Sequence, residues 1–342
     1  MKIIINATDV HSGGGKVMLS DLLSAAIEKE NAEFHVFTDP RYNRQKYSAS
    51  NINFHEVSKW KRIFVDRTIR EIVNTDSIVI NIGDMPPFKR QNCTVIQFLM
   101  NRYFIDNYSM KGLPFIVKAR LSFEKWAFRI YLKNADYYFV QNFVMRDLLL
   151  KLGFKDKSIK VIPYKNMDPV QIMDEETVLD SFLYVASGEP HKNHRNLIEA
   201  WKILAEDGIK PILFLTIDRE TDLYYKVLEF NKIYGLKIRI KAKLPRNELL
   251  SYYQKVKALI YPSYFECFGI PLIEAHNINL PIIAAELDYV RDMVHPVETF
   301  DPKSPRSIAR AVKRFMGNQE PSLQVISANQ FIDELITYTK IL

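Results

Sequence analysis

Two carboxylates, Glu266 and Glu274, flank an apolar stretch in "YPSYFECFGIPLIEA" (261–275), and Phe-Gly-Ile-Pro breaks that stretch in its middle. The preceding run "ALIYP" (258–262) reads as a strand ending at Pro262. Pro271 fits the first position of a helix. Gly269 lets the backbone approach a ligand closely or take a positive φ. The amides of Gly269, Ile270, Leu272 and Ile273 would then lie at a helix start, where unpaired N–H groups favour an anion. Carboxylates there cannot bid for the same anion. They suit hydroxyl groups instead, a sugar at one end and a ribose at the other. The plainer alternative makes Glu274 a helix-dipole charge and Glu266 a solvated loop residue.

A second loop, "YVASGEPHKNHRNLIEAW" (184–201), follows another strand. A lysine at a helix start opposes the dipole, so Lys192 calls for a ligand charge such as a diphosphate. Its plain alternative is an exposed lysine beside an Asn193 cap. A third loop carries Gly13-Gly14-Gly15 ahead of an amphipathic helix, again a phosphate-binding geometry, with His11, Ser12 and Lys16 beside it. A dinucleotide-binding turn fits poorly, because the glycines are contiguous and lie seven residues beyond the strand. Asn101 and Arg102, Gln141 and Asn142, and Glu286 and Arg291 each follow a predicted strand.

The elements that position these loops alternate along the chain. Runs at 2–6, 34–38, 77–82, 94–99, 137–141 and 159–163 read as strands, with helices over 15–30, 115–134 and 142–152. The pattern restarts with strands at 182–186, 211–216, 237–241, 258–262 and 280–285. Helices there cover 193–207, 219–234, 246–256, 270–278 and 304–317. Strands apolar on both faces and separated by helices predict an α/β protein with two doubly wound, Rossmann-like domains. We expect domain 1 over 1–165, a linker over 166–180, domain 2 over 181–322, and a terminal segment, 323–342, packing back on the first domain. Every motif follows a strand, so the natural site is the cleft between the domains.

The 342 residues are 47% hydrophobic and 25% charged, with a net charge of +7, an ordinary globular composition. Residues 1–165 hold 26 basic against 16 acidic side chains, a net of +10, and the remainder hold 21 against 24, a net of −3. The first half therefore meets something anionic. No run approaches a membrane span, and "MKIIINATDV" is too short an apolar run for a secretory signal. Cys93 and Cys267 are the only cysteines, without metal-ligand spacing, so a reducing cytoplasm is the default. In 115–133, Lys118, Lys125, Arg129 and Lys133 form a basic stripe beside Leu121, Phe128 and Leu132, with Ile116, Phe123, Ala127 and Ile130 opposite. That pattern predicts contact with an anionic membrane, at its cytoplasmic face, through the basic edge. A solvated charged face is the alternative. Nucleic acid is disfavoured, since the aromatic residues fall mostly on strand or core positions.

Glu-Cys-Phe-Gly-Ile-Pro-Leu-Ile-Glu, with Pro-Ser before it and Ala after it, resembles the Glu-x7-Glu signature of glycosyltransferase family 4, the glycosyl transferases group 1. Pro-His-Lys-Asn-His followed by Leu-Ile-Glu-Ala is similar to a variant of that family's phosphate loop. The resemblance spans nearly the whole chain. It implies a GT-B fold and a retaining hexosyltransferase that uses a nucleotide diphosphate sugar, GDP-mannose or a UDP-sugar.

It also implies roles for residues. Glu266, Lys192 and Asn101 would act at the transferred sugar. Gly14, Gly15, Ser187, Lys192, Asn193, Lys243, Phe268, Gly269, Ile270, Pro271, Leu272 and Glu274 would hold the donor, with Glu274 on the ribose. Ala186-Ser187 stands where the commoner form has Gly-Arg, so one diphosphate cation is missing or comes from Lys243 or Arg246. No Asp-x-Asp occurs, and metal-independent transfer without a cofactor is expected. The acceptor implied is a saccharide, lipid-diphosphate-linked, in bacterial surface polysaccharide such as O-antigen or capsule. The rivals are a nucleotide-sugar epimerase of GT-B type and a basic nucleic-acid-binding protein.

Overall fold

Short β-branched runs flanked by turn residues become parallel strands, and the amphipathic runs between them become their crossover helices. A computed structural model of the chain describes residues 1–11, 13–83, 85–106, 114–166, 178–242, 244–318, 327–328 and 330–332. In the first lobe, strands β1 (Lys2–Ala7), β2 (Glu33–Thr38), β3 (Ile52–Glu56), β4 (Ile78–Gly83), β5 (Thr94–Leu99), β6 (Tyr137–Val140) and β7 (Ile159–Val161) alternate with helices α1 (Gly13–Ile27), α2 (Val65–Ile72), α3 (Phe115–Tyr131) and α4 (Phe143–Lys151). The sheet order is β3-β2-β1-β4-β5-β6-β7, and each pairing is parallel.

The second lobe repeats the plan. Its strands are β8 (Val178–Tyr184), β9 (Ile212–Leu215), β10 (Lys237–Ile240), β11 (Val256–Tyr261), β12 (Ile282–Ala285) and β13 (Glu298–Phe300). Its helices are α5 (His194–Glu206), α6 (Asp222–Tyr234), α7 (Arg246–Lys255), α8 (Ile270–Asn277), α9 (Asp288–Arg291) and α10 (Pro305–Phe315). The order is β10-β9-β8-β11-β12-β13. Both sheets reverse direction next to their first strand, at β1/β4 and β8/β11. Those switch points open the crevices where such sheets bind ligands.

Two edge strands, β3 and β13, were not expected from the sequence. They are short and carry polar side chains such as His55, Glu56 and Glu298, because an edge needs less apolar surface than a central strand. β8 begins at Val178, inside the span read as linker, and 167–177 lie outside the described residues. So does most of 323–342, the segment expected to pack back on the first lobe.

The outward face of α3 corrects the sequence reading. Leu121, Ala127 and Phe128 are buried against the first lobe's core, whereas Phe115, Ile116, Phe123, Trp126 and Ile130 are exposed. Leu121 and Phe128, assigned to the outer edge, pack inward, and Ile116, Phe123 and Ile130, assigned inward, are exposed, whereas Arg129 and Lys133 are exposed and Ala127 buried as expected. The reason is that Phe104 and Tyr138 lie on the lobe side and meet Phe128, the first with a tilted ring and the second edge-on. Lys118 and Lys125 are only half-exposed.

The lobes touch through an apolar cluster of Met18 and Phe98 from the first with Phe268 and Ile273 from the second. Polar contacts add to it: Phe143 N–H to Asp292 Oδ2 at 3.0 Å, and Asn142 Nδ2 to the Cys267 carbonyl at 2.7 Å.

Candidate functional site

A cleft of about 580 Å³ opens between the lobes at the carboxyl ends of both sheets. From the first lobe it is lined by Gly13–Gly15 after β1, Asn101 and Arg102 after β5, and Gln141 after β6. The second lobe contributes Ser187, His191 and Lys192 after β8, Thr216 after β9, Arg246 and Leu249 on α7, and the run from Phe265 to Pro271 with Glu274. The glycines permit the lobes to approach: a Cβ on Gly14 would meet Ile270 Cδ1 at 3.4 Å, and one on Gly15 would meet Met100 Cε at 2.9 Å.

Gly269 takes φ 74° as the N-cap of α8, with Pro271 in the first turn. A side chain at Gly269 would be strained by that φ and crowded by Leu272. The expected cradle is narrower than the sequence predicted. Leu272 is fully buried in the second lobe's core, and its N–H bonds to the Gly269 carbonyl at 2.9 Å, so neither its side chain nor its amide faces the cleft. Gly269 and Ile270 remain at the cleft wall.

The acidic pair is held by phenols and cations. Glu266 receives Lys192 Nζ at 2.8 Å on both oxygens and Tyr261 O–H at 3.0 Å on Oε1. Glu274 accepts Arg246 Nη1 at 2.5 Å and Tyr253 O–H at 2.9 Å. Burial first, then the neighbouring carboxylate, holds each phenol well above its usual pKa, so both stay protonated donors. Tyr261 and Tyr253 went unrecognised in the sequence. The signal was present for Tyr261, which ends the strand leading into the motif.

Beneath Lys192, Tyr184 O–H donates to the Lys192 carbonyl at 2.7 Å and its oxygen accepts the Ser263 hydroxyl at 2.8 Å, tying the loop to β8 and to the residues after β11. His191 stacks flat on Phe265 at 4.6 Å, and burial lowers its pKa to about 4. The imidazole is therefore neutral at pH 7. Of the residues expected to hold a donor, Gly14, Gly15, Ser187, Lys192, Phe268, Gly269, Ile270, Pro271 and Glu274 share this cleft with Asn101 and Glu266.

Asn193 does not line it. Its side chain turns inward to the carbonyls of Pro262 at 3.0 Å and Pro302 at 2.7 Å, and its φ of 61° turns the loop into α5. Ser187 donates to Glu189. Asn101 accepts Tyr103 N–H at 3.0 Å. Glu286 and Arg291 pair with each other away from the cleft lining. Lys243 lies outside the described residues.

Chemically, the cleft lining holds two carboxylates, each paired with a cation (Glu266 with Lys192, Glu274 with Arg246), together with glycine-rich turns and a helix start. That set suits a polyhydroxyl ligand carrying phosphates.

Comparison with known proteins agrees with this geometry. Residues 174–331 match the family model described as glycosyl transferases group 1. The chain is 30% identical over 115 residues to O-antigen chain mannosyltransferase B of Escherichia coli, covering 33% of this chain and 30% of that protein. It is 22% identical over 208 residues to O-antigen chain mannosyltransferase RfbU of Salmonella typhimurium, covering 61% and 56%. The chain thus spans between about a third and somewhat over half the length of these two curated relatives. Among solved structures, the lipopolysaccharide outer core galactosyltransferase WaaB superposes with TM-score 0.63 at 16% identity over 93% of this chain and 90% of that one. Anabaena HepE in complex with UDP and glucose gives TM-score 0.64 at 14% identity over 92% and 90%. The chain therefore has the two-lobed GT-B fold, and its second lobe, with Lys192, Glu266 and Glu274, lies within a segment that matches the glycosyl transferases group 1.

Proposed function

We propose that the chain is a retaining glycosyltransferase of family 4 that moves a hexose from a nucleotide diphosphate sugar to a saccharide acceptor. One observation carries this reading: Lys192, Glu266, Glu274 and the Gly269 turn converge on a single interlobe cleft. In the reaction, the bond from the anomeric carbon to the diphosphate oxygen breaks, and the nucleoside diphosphate leaves with the electron pair. An acceptor hydroxyl then bonds that carbon from the same face, and its proton passes to a departing phosphate oxygen. Lys192 stabilises the charge that grows on the leaving group, with the amides at the start of α8. Arg246, which lines the cleft with Lys192 and Arg102, would stand in for the cation missing at Ala186-Ser187. Glu274 accepts the ribose hydroxyls, and Glu266 orients the transferred sugar. Protein cations fill the role a metal would otherwise take.

The relatives named as O-antigen chain mannosyltransferases favour mannose as the transferred sugar and an O-antigen chain as the product, and the family resemblance adds GDP-mannose as donor and a lipid-linked acceptor. The exposed Phe115, Ile116, Phe123, Trp126 and Ile130 of α3 supply the apolar contact with a membrane, and the +10 of residues 1–165 supplies attraction to anionic lipid. Among the described residues no helix is long and apolar enough to cross a membrane.

The experiment is a thermal-shift screen of nucleotide sugars in chelator-treated buffer, followed by a transfer assay with the stabilising donor. A true donor at 100 times its Kd adds about 2.7 kcal/mol of stability. A nucleotide sugar that binds but only isomerises would replace transfer with epimerisation.

A further inference from the structure

His191 is a polar ring in an aromatic stack. It lies in the turn Pro190–Lys192 between β8 and α5, with its imidazole flat on Phe265 at 4.6 Å. Tyr103, from the first lobe, stands perpendicular to it at 5.9 Å. Its Nδ1 is enclosed and meets no partner among the described residues. An enclosed nitrogen without a partner costs stability and calls for a reason. Packing is not that reason. Phe265 and Tyr103 ask only for a flat ring, which phenylalanine would supply without burying a nitrogen. What phenylalanine lacks is the second nitrogen, Nε2. No protein group among the described residues bonds Nε2, and the ring lines the interlobe cleft, so Nε2 is the atom left for a ligand.

The backbone fixes where that atom sits. Tyr264 N–H bonds the His191 carbonyl at 2.9 Å, and Lys192 Nζ reaches Glu266 at 2.8 Å. The turn carrying His191 and the loop carrying Glu266 are therefore laced into one unit. Contact with Tyr103 puts the ring at the edge of that unit that meets the first lobe.

The ring suits a hydroxyl better than a phosphate. Burial keeps the imidazole neutral, with its pKa lowered to about 4, so it adds no charge opposite a diphosphate. Lys192 already does that. At Nε2 a neutral imidazole offers either an N–H or a lone pair, and a hydroxyl can meet either.

We propose that His191 Nε2 hydrogen-bonds a hydroxyl of the transferred sugar and thereby selects among donors that share one nucleotide. The identity of that ligand rests on the sugar-transfer reading, whereas the open nitrogen does not.

Binding in the absence of any acceptor tests the contact. GDP-mannose and GDP are titrated calorimetrically into the wild-type protein and into His191→Phe, which keeps the stack and loses Nε2. Where the wild type takes UDP-glucose instead, UDP-glucose and UDP form the pair. His191→Phe weakens the nucleotide sugar about five- to tenfold, the effect of one lost hydrogen bond, and leaves the nucleotide unchanged. Its Tm in neutral buffer is no lower than that of the wild type, because the unpaired nitrogen is gone. His191→Gln, whose amide reaches the place of Nε2, recovers part of the lost affinity. Monodeoxy forms of the sugar then find the partner: the form lacking the contacted hydroxyl binds wild type and His191→Phe equally.

Equal losses for nucleotide sugar and nucleotide overturn the proposal, since a ring that only supports the phosphate loop would give them. Unchanged affinity for the nucleotide sugar overturns it too, as does a gap between wild type and His191→Phe that persists for every monodeoxy form. A protein that binds GDP-mannose through His191 yet transfers no mannose supports the contact and counts against the sugar-transfer reading alone.

Discussion

The ammonium of Lys192 lies 2.8 Å from each carboxylate oxygen of Glu266, and the two side chains are 17% and 11% exposed. Groups that the sequence assigns to neighbouring parts of a donor, its diphosphate and its transferred sugar, are therefore one ion pair before any donor arrives. An ammonium has three N–H donors, and two are aimed at Glu266. Breaking a largely buried pair by removing one partner leaves an uncompensated charge, so the two side chains act as a unit.

Lys192→Ala lowers turnover by ~10²-fold or more, because a fixed cation at the leaving group is lost. Since Glu266 depends on the same contact, the double variant Lys192→Ala/Glu266→Gln loses little more than the worse single change. Initial transfer rates at saturating donor measure both. Normal turnover in Lys192→Ala would sink the diphosphate assignment.

Glu274→Ala weakens the binding of the nucleoside diphosphate by about tenfold or more, since a hydrogen bond to a charged group contributes about 1.5–3 kcal/mol. Tyr253→Phe removes only the phenol that steadies Glu274 and has a smaller effect in the same direction. Titration of the nucleotide into each variant gives the comparison. An effect on turnover alone, with affinity intact, would move Glu274 from the ribose to the chemistry.

Stability falls as pH drops from about 6.5 towards 4. Burial lowers the pKa of His191 to about 4 and of His194 to about 3, with Lys192 adding to each shift. At pH 7 both rings are neutral whether the chain is folded or not, and their contribution is complete. Below 6.5 the unfolded chain takes up protons that the native rings refuse, so unfolding gains. The His191 share alone amounts to about 3 kcal/mol at most. His191→Gln should flatten the Tm-against-pH curve over that window. An unchanged slope in this variant would mean that His191 is not buried neutral.

Much of this was legible in the residues, for identifiable reasons. The core strands announced themselves because strands buried on both faces must be apolar throughout, as in "IIIN" and "ALIY". The turn at Gly269–Pro271 was legible because a positive φ followed by a proline leaves few conformations. The partners of the acids were not. Tyr261 and Tyr253 meet Glu266 and Glu274 through packing of α7, β11 and α8, and no local periodicity encodes which hydroxyl reaches which carboxylate. The face of α3 was misread because Leu121 and Phe128 can satisfy either a core or a membrane. Only the position of Phe104 and Tyr138 decides.

Cys267 shows how closure can reach the chemistry. It adjoins Glu266, yet it packs against the first lobe's core, its sulfur accepts Arg102 N–H at 3.1 Å, and its carbonyl accepts Asn142 Nδ2 at 2.7 Å. Asn142 also caps α4 by accepting Met145 N–H at 2.9 Å. Asn142→Asp separates these duties, because aspartate caps as well as asparagine but cannot donate to a carbonyl. Tm should stay within a few degrees of the wild type while kcat falls roughly five- to tenfold, the effect of about 1 kcal/mol from one lost hydrogen bond. Asn142→Ala, which also loses the cap, should lower Tm as well. Equal turnover in Asn142→Asp and wild type would show that the first lobe does not position the loop carrying Glu266. A fall in kcat with donor affinity unchanged is the signature of a tether that matters only once the lobes have closed.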